Sequence, residues 1–91
     1  MSFLYIIAAS PEGPVKLGFS ADPQKRLKQL QTGSAQVLAL HHTEEVDDAR
    51  VKIAERALHR LLGHKRLKGE WFTVTVEEAV FEVMHIRMCE G

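Results

Sequence analysis

The stretch FLYIIAASPEGPVKLGF, residues 3–19, decides the fold of this chain. Residues 3–9 are rich in aromatic and β-branched side chains, which favour a strand, and Val15–Phe19 is a second short candidate strand. The connecting residues 10–14 are turn-forming, because proline fixes φ and lacks an N–H donor and Gly13 allows positive φ. Two short strands joined by a five-residue loop predict an antiparallel hairpin.

Helix signals follow the hairpin. Asp22-Pro23 is typical of an N-cap followed by the first helical position, and the glycine of Thr32-Gly33 predicts where that helix ends. Residues 37–42 predict a third strand. Residues 46–62 carry two apolar rows at i, i+4 spacing, which predict the longest helix with a broad core-facing stripe.

The remaining residues predict a basic loop over 64–68, a short extended segment over 71–75 and a closing helix. That helix opens with the capping box Thr75-x-x-Glu78. The order is therefore ββαβα, followed by a short strand and a C-terminal helix. It predicts one α+β domain over residues 1–91, with a small three-stranded antiparallel sheet flanked by helices.

Composition and length agree with a single folded domain. Hydrophobic residues make up 45% of the 91 residues and charged residues 26%. The single cysteine, Cys89, excludes an internal disulfide, and we expect a cytoplasmic protein. The apolar run over residues 3–9 is too short to span a membrane and has no basic residue before it, so we expect neither an anchor nor a signal peptide.

The formal net charge is zero, but the charges are segregated along the chain. Residues 49–68 carry a balance of +6, whereas residues 37–48 and residues 69–91 each carry −4. A basic face can follow a phosphate backbone, but it can equally be a solvated helix surface, and charge alone leaves both open. The candidate nucleic-acid-binding residues are Lys25, Lys28, Arg56, Arg60, Lys65, Arg66 and Lys68.

Four side chains are candidates for chemistry. By residue type alone, Tyr5 is a half-buried sheet aromatic and Lys16 a solvent-facing lysine at a sheet edge. Arg26 borders an apolar helix stripe. From there its guanidinium either extends to solvent or binds a phosphate. Glu55, the sole acid of the basic stretch, either forms a surface pair with a neighbour such as His59 or is a carboxylate ligand for Mg²⁺.

Two tripeptides in the predicted hairpin carry a family resemblance. Leu4-Tyr5-Ile6 and Lys16-Leu17-Gly18 resemble the two signature tripeptides of the GIY-YIG nuclease superfamily. Arg26 follows Gly18 by eight residues, as the arginine of that superfamily does, and Glu55 is similar to its metal-binding glutamate.

Two further segments resemble the small phage and bacterial branch typified by the phage T5 orf172 domain. They are Leu30-Gln31-Thr32-Gly33 and Gly69-Glu70-Trp71-Phe72. The likeness extends from Phe3 to about Val76, which is nearly the whole chain.

The resemblance implies a metal-dependent endonuclease that hydrolyses phosphodiester bonds in DNA, with Mg²⁺ or Mn²⁺ as cofactor. Tyr5 would orient or deprotonate the attacking water, and Arg26 would stabilise charge on the phosphate oxygens. Glu55 would hold the divalent ion. Single- and double-stranded DNA, and a monomer or a homodimer, all stay open.

Three positions depart from the superfamily pattern. Leu4 replaces the first glycine, Lys16 replaces the second tyrosine, and Leu30 replaces a histidine that some members carry. Lys16 is either a base or a phosphate-binding cation, so the identity of the general base stays open. His59 and Glu70 are possible accessory residues.

Two other function classes remain. One is a catalytically degenerate nucleic-acid-binding module of the same fold, and the other is an interaction protein whose acidic last helix binds a partner. The combination of Tyr5, Arg26 and Glu55 favours the nuclease, because a pure binding module has no use for an isolated carboxylate among basic residues.

Overall fold

The computed structural model describes the backbone of residues 1–90 and the side chains of residues 1–85, so the side chain of Cys89 lies outside the described residues. The chain forms an α+β fold, which confirms the predicted class. The strands are β1 (Ser2–Ala8), β2 (Val15–Ser20), β3 (Ala39–Val46), β4 (Arg66–Lys68) and β5 (Trp71–Phe72). The α-helices are α1 (Pro23–Thr32), α2 (Val51–Leu62) and α3 (Val76–Glu90), and short 3-10 turns precede and follow α2.

The hairpin of β1 and β2 is the centre of the sheet. Its register pairs Tyr5 with Gly18 and Ile6 with Leu17. The connecting turn contains Gly13 at φ +83°, where a Cβ would collide with the backbone carbonyl oxygen of Val74. Glycine is therefore required both by the backbone conformation and by the close approach of the segment before α3.

The sheet has five strands in the order β3-β1-β2-β5-β4, so the prediction of three strands was wrong. Residues 66–68 of the predicted basic loop form β4, which pairs antiparallel with β5. The two short strands are joined through Gly69, which has φ +59°. A three-residue strand is too short to show an alternating pattern, and β4 joins the sheet only through β5, which pairs with the distant strand β2.

Two predicted boundaries were also wrong. The third strand was expected over residues 37–42 and runs over Ala39–Val46, and α2 begins at Val51 instead of Val46. Pairing with β1 extends β3, because the register runs from Ala8 opposite Ala39 to Ser2 opposite Val46. Asp47 then ends the extended segment, since its side chain caps the following 3-10 turn by accepting from the backbone N–H of Ala49 (3.1 Å).

Helices cover both faces of the sheet. Leu4 and Ile6 pack in the larger core cluster with residues of α2 and α3, whereas Tyr5 and Ile7 lie in a second cluster with side chains of α1. Along α2 only the row Ala54, Leu58 and Leu62 is buried. The apolar stripe is thus narrower than predicted, because Ala49 and Ile53 of the other row are exposed.

The predicted helix caps are confirmed. The carboxylate of Asp22 accepts from the backbone N–H of Lys25 (3.1 Å), with Pro23 in the first turn of α1. Thr75 and Glu78 cap α3 reciprocally, with distances of 3.0 and 3.1 Å between side-chain oxygens and backbone nitrogens. Within the described residues, none of the helices has the length and apolar character that a membrane crossing requires.

Candidate active site

Tyr5 is buried, with only 1% of its surface exposed, although residue type alone predicted half-burial. Its partner across the hairpin is Gly18, and the phenol ring crosses above this glycine. A Cβ on Gly18 would lie 2.7 Å from Cζ of Tyr5 and would collide with the hydroxyl oxygen. The glycine in the second tripeptide is therefore what leaves room for the phenol of the first.

Two side chains contact the hydroxyl of Tyr5. Nε of Arg26 donates a hydrogen bond to it (3.4 Å), and the hydroxyl donates to Oε1 of Glu70 (3.4 Å). Arg26 is held by the first turn of α1, where its backbone N–H donates to the carbonyl oxygen of Asp22 (3.1 Å). Tyr5 and Glu70, which are 65 positions apart along the chain, are thus in contact through the Tyr5 hydroxyl.

Lys16 also points toward this group, and the prediction of a solvent-facing edge lysine was wrong. The residue is 8% exposed, because β2 lies inside the sheet between β1 and β5. Its Nζ lies 3.6 Å from Oε1 of Glu70 and 5.5 Å from the centroid of the Trp71 ring. A buried ammonium needs such partners, since burial of an unpaired charge is costly.

Glu70 contacts both Tyr5 and Lys16. Its side chain remains 47% exposed while one oxygen, Oε1, is close to both Tyr5 and Lys16. Its backbone carbonyl oxygen accepts from the N–H of Leu17 (3.0 Å), which ties the turn between β4 and β5 to β2. The sequence motif Gly69-Glu70-Trp71-Phe72 marked this residue as a possible accessory, but only the fold shows its contacts.

The surroundings keep Tyr5 protonated at neutral pH. Burial is the largest cause that raises the pKa of Tyr5 above its usual value of 10.0, and the negative charge of Glu70 raises it further. The hydrogen bond from Arg26 lowers it, but the net direction is upward. The same hydrogen bond raises the pKa of Arg26, so this pair is a guanidinium and a neutral phenol.

A cleft of about 200 Å³ is lined by Gly18 and Glu70, two residues that contact the phenol, although Tyr5 itself is not in its wall. Glu55 and His59, one turn apart on α2, line it together with Gly18 and Glu70. Arg66 of β4 is also in its wall. The cleft therefore brings the predicted metal ligand Glu55 next to the group around Tyr5, although these residues belong to separate elements.

The cleft offers carboxylate oxygens of the kind that Mg²⁺ prefers. Glu55 lines it, and Mg²⁺ can be held by as few as one or two carboxylates with water in the remaining positions. Within the described part of the chain no three His, Cys, Asp or Glu side chains are gathered into a metal-binding group. The residues present fit a sparsely ligated hard cation and give no all-protein cage.

The candidate nucleic-acid-binding residues fall into two groups. Lys65 and Arg66 have internal contacts: Nζ of Lys65 lies 3.4 Å from a carboxylate oxygen of Glu78, and Nε of Arg66 donates to the carbonyl oxygen of Gly69. The remaining candidates have exposed side chains, namely Lys25, Lys28, Arg56, Arg60 and Lys68.

The other aromatic and histidine residues are placed as follows. Phe72 is buried in the larger core cluster, and Trp71 packs against the second cluster beneath Lys16. His41 is exposed and His42 is half-buried, because neighbouring residues of β3 alternate between the two faces of the sheet. His42 pairs with Glu44 (3.0 Å), away from the cleft-lining residues.

The fold and the site define a small α+β domain that gathers a buried phenol, a lysine, an arginine and two carboxylates around one end of its central hairpin. The family model of the T5orf172 domain matches residues 2–87. The chain belongs to the T5orf172 domain family, a phage-associated family of nuclease-like and DNA-binding character. No curated protein and no solved structure matches the chain.

Proposed function

We propose that this domain is a GIY-YIG-type endonuclease that hydrolyses phosphodiester bonds in DNA with the help of Mg²⁺ or Mn²⁺. The observation that carries the proposal is a chain of contacts: Arg26 and Glu70 contact the Tyr5 phenol, Lys16 contacts Glu70, and Glu55 shares a cleft with Glu70. Phosphodiester hydrolysis needs an oriented water, a cation for the developing charge and a metal ligand, and these side chains supply one candidate for each.

Arg26 is the residue best suited to bind the phosphate. Its guanidinium is permanently charged and offers several N–H donors, of which the Nε–H is used on Tyr5. Nη1 lies 3.4 Å from Oε1 of Gln29, at the exposed side of the group. The remaining donors can contact two phosphate oxygens in the transition state, when their negative charge is greatest.

Tyr5 orients the attacking water in this proposal. Its hydroxyl is fixed in place by Gly18 beneath it and by its two hydrogen-bond partners. Because its pKa is raised, the phenol does not act as a preformed phenolate at neutral pH. Lys16 is paired with Glu70, so its proposed role is to hold that carboxylate in position.

Glu55, in the wall of the cleft, would hold the divalent ion. When bound, the ion would supply Lewis-acid stabilisation of the phosphate and its leaving oxygen. Glu55 is exposed on α2, and the other charged residues of that helix are basic, which favours the approach of a phosphate backbone.

The test is cleavage of end-labelled single- and double-stranded DNA in Mg²⁺, in Mn²⁺ and in EDTA. Glu55→Gln preserves the shape of the side chain but removes its charge, and we expect it to abolish cleavage while DNA binding persists. Glu77→Gln is the matched control, because Glu77 is an exposed carboxylate outside the cleft.

Metal-dependent products that disappear only in the Glu55 variant would support the nuclease. Salt-sensitive DNA binding without cleavage by the wild-type protein would replace it with the nucleic-acid-binding module. Full activity of Glu55→Gln would remove Glu55 as the metal ligand.

A further inference from the structure

We infer that Glu70 is a positioning residue for Tyr5: it fixes the phenolic proton and receives it when the phenolic oxygen takes a proton from the attacking water. This inference rests on the proposed function and deepens it, because it names the final proton acceptor of the same site. Neither the family match nor the departures from the superfamily pattern assign such a role to Glu70.

The hydrogen bonds set the direction in which the proton points. A phenolic oxygen has one hydrogen to donate, and the guanidinium of Arg26 can only donate to it. Arg26 Nε therefore occupies a lone pair of the oxygen, and the phenolic hydrogen is directed to Oε1 of Glu70. The oxygen keeps a second lone pair, which can accept a hydrogen bond from a water molecule.

The burial of Tyr5 explains why its hydroxyl needs a proton acceptor. A buried phenol that must ionise before it reacts would be almost fully protonated at neutral pH, and so it would be a poor base. If the two proton transfers are concerted, Tyr5 does not have to ionise before it reacts. As the water oxygen forms its bond to phosphorus, one water proton passes to the phenolic oxygen and the phenolic proton passes to Glu70.

The step is balanced in atoms and charge. The bond between phosphorus and the leaving oxygen breaks, and that oxygen takes a proton from solvent. Glu70 ends the step as a neutral carboxylic acid and later returns its proton to solvent, to which its half-exposed side chain has access. No oxidant, reductant or further reactant is required.

Two contacts prepare Glu70 for this role. The Lys16 ammonium, 3.6 Å from Oε1, holds that oxygen in place by an ion pair. The hydrogen bond from the N–H of Leu17 to the backbone carbonyl oxygen of Glu70 fixes the carboxylate's attachment point against β2. Glu70 therefore lies at a defined distance from Tyr5 although it belongs to a turn.

The chain offers a direct spectroscopic test, because Tyr5 is its only tyrosine. Ultraviolet titration of tyrosinate in the folded protein reports on this one phenol. In Glu70→Gln we expect the pKa of Tyr5 to fall relative to wild type, since a negative charge that opposes ionisation is removed. Glu77→Gln, the control, should titrate like wild type.

The pH profile of cleavage is the second measurement. In Glu70→Gln we expect kcat/KM at neutral pH to fall by roughly 10²–10⁴-fold, which is the usual contribution of a positioned acid or base. Activity should partly recover as the pH rises, because Tyr5 must now ionise by itself. A folding failure is separable, because circular dichroism should show a folded variant at the assay temperature even if the unfolding midpoint falls through the loss of the carboxylate partner of Lys16.

The outcomes separate this inference from the proposed function. An unchanged Tyr5 titration in Glu70→Gln would overturn the inference, as would an equal loss of cleavage at every pH. A variant that regains full activity at high Mg²⁺ would instead make Glu70 a metal ligand, and this too would overturn it. Absence of cleavage by the wild-type protein would overturn the proposed nuclease, while the titration would still test the pair of Glu70 and Tyr5.

Discussion

At the scale of single residues, the site depends on a glycine, because a side chain at this position would collide with Tyr5. Gly18 lies opposite Tyr5 in the hairpin, and the phenol occupies the space that any larger residue would need. The two tripeptides that carry the superfamily resemblance are therefore linked physically: the tyrosine of one is accommodated by the glycine of the other. This explains the spacing of the motifs in terms of packing.

Gly18→Ala is expected to destabilise the domain by about 1–3 kcal/mol, because the new methyl group overpacks against Tyr5. Tyr5→Phe removes the hydroxyl oxygen with which that methyl collides, so the double variant should recover part of the loss. Urea unfolding followed by the fluorescence of Trp71, the single tryptophan, measures each free energy.

Gly33→Ala is the control for that cycle, because a Cβ at this position meets no atom within 4 Å and the backbone has negative φ. It should leave the free energy of unfolding nearly unchanged. Equal stabilities of Gly18→Ala and wild type, or strictly additive effects in the double variant, would contradict the packing argument.

At the scale of elements, the small hairpin of β4 and β5 completes the site. Strand β5 lies in the predicted short extended segment, but β4 and the pairing of both strands with the sheet were not predicted, and the turn between them holds Glu70. The turn depends on Gly69, whose φ of +59° lies in the left-handed region that L side chains avoid. Open space surrounds this glycine, so conformation alone restricts the position.

Gly69→Ala should therefore cost roughly 1–2 kcal/mol of stability and reduce cleavage by moving Glu70 away from Tyr5. Gly69→Asn is the matched variant, because asparagine tolerates the left-handed conformation better than alanine, and it should retain more of both properties. Urea unfolding and the cleavage assay measure the two effects. Similar losses in both variants would show that the backbone conformation is not the cause.

At the scale of the whole molecule, the net charge is zero but the charged residues are unevenly distributed along the chain. The stretch of residues 49–68 is basic, and its exposed members include Arg56 and Lys68, which flank in sequence the two carboxylates of the cleft. Such an arrangement fits the proposed approach of a phosphate backbone to Glu55. Counterion release then makes binding dependent on salt even though the protein is neutral overall.

Each of Arg56→Gln and Lys68→Gln should weaken DNA binding similarly for all sequences and reduce the slope of log K against log salt by about 1. Lys65→Gln is the control, since this lysine pairs with Glu78, and its effect should be smaller. Fluorescence anisotropy over a salt series measures the slopes. An unchanged slope in both test variants would place the DNA path elsewhere on the surface.

The sequence by itself determined the central hairpin, the α+β class, the start of α1 and the capping box of α3, because turn chemistry, caps and short-range periodicity are encoded locally. It also marked Tyr5, Lys16, Arg26 and Glu55 as candidates. Only the tertiary structure decided the five-stranded sheet, the late start of α2 and the burial of Lys16. It also decided the central place of Glu70, because pairing partners, burial and the contacts of a turn residue depend on segments distant along the chain.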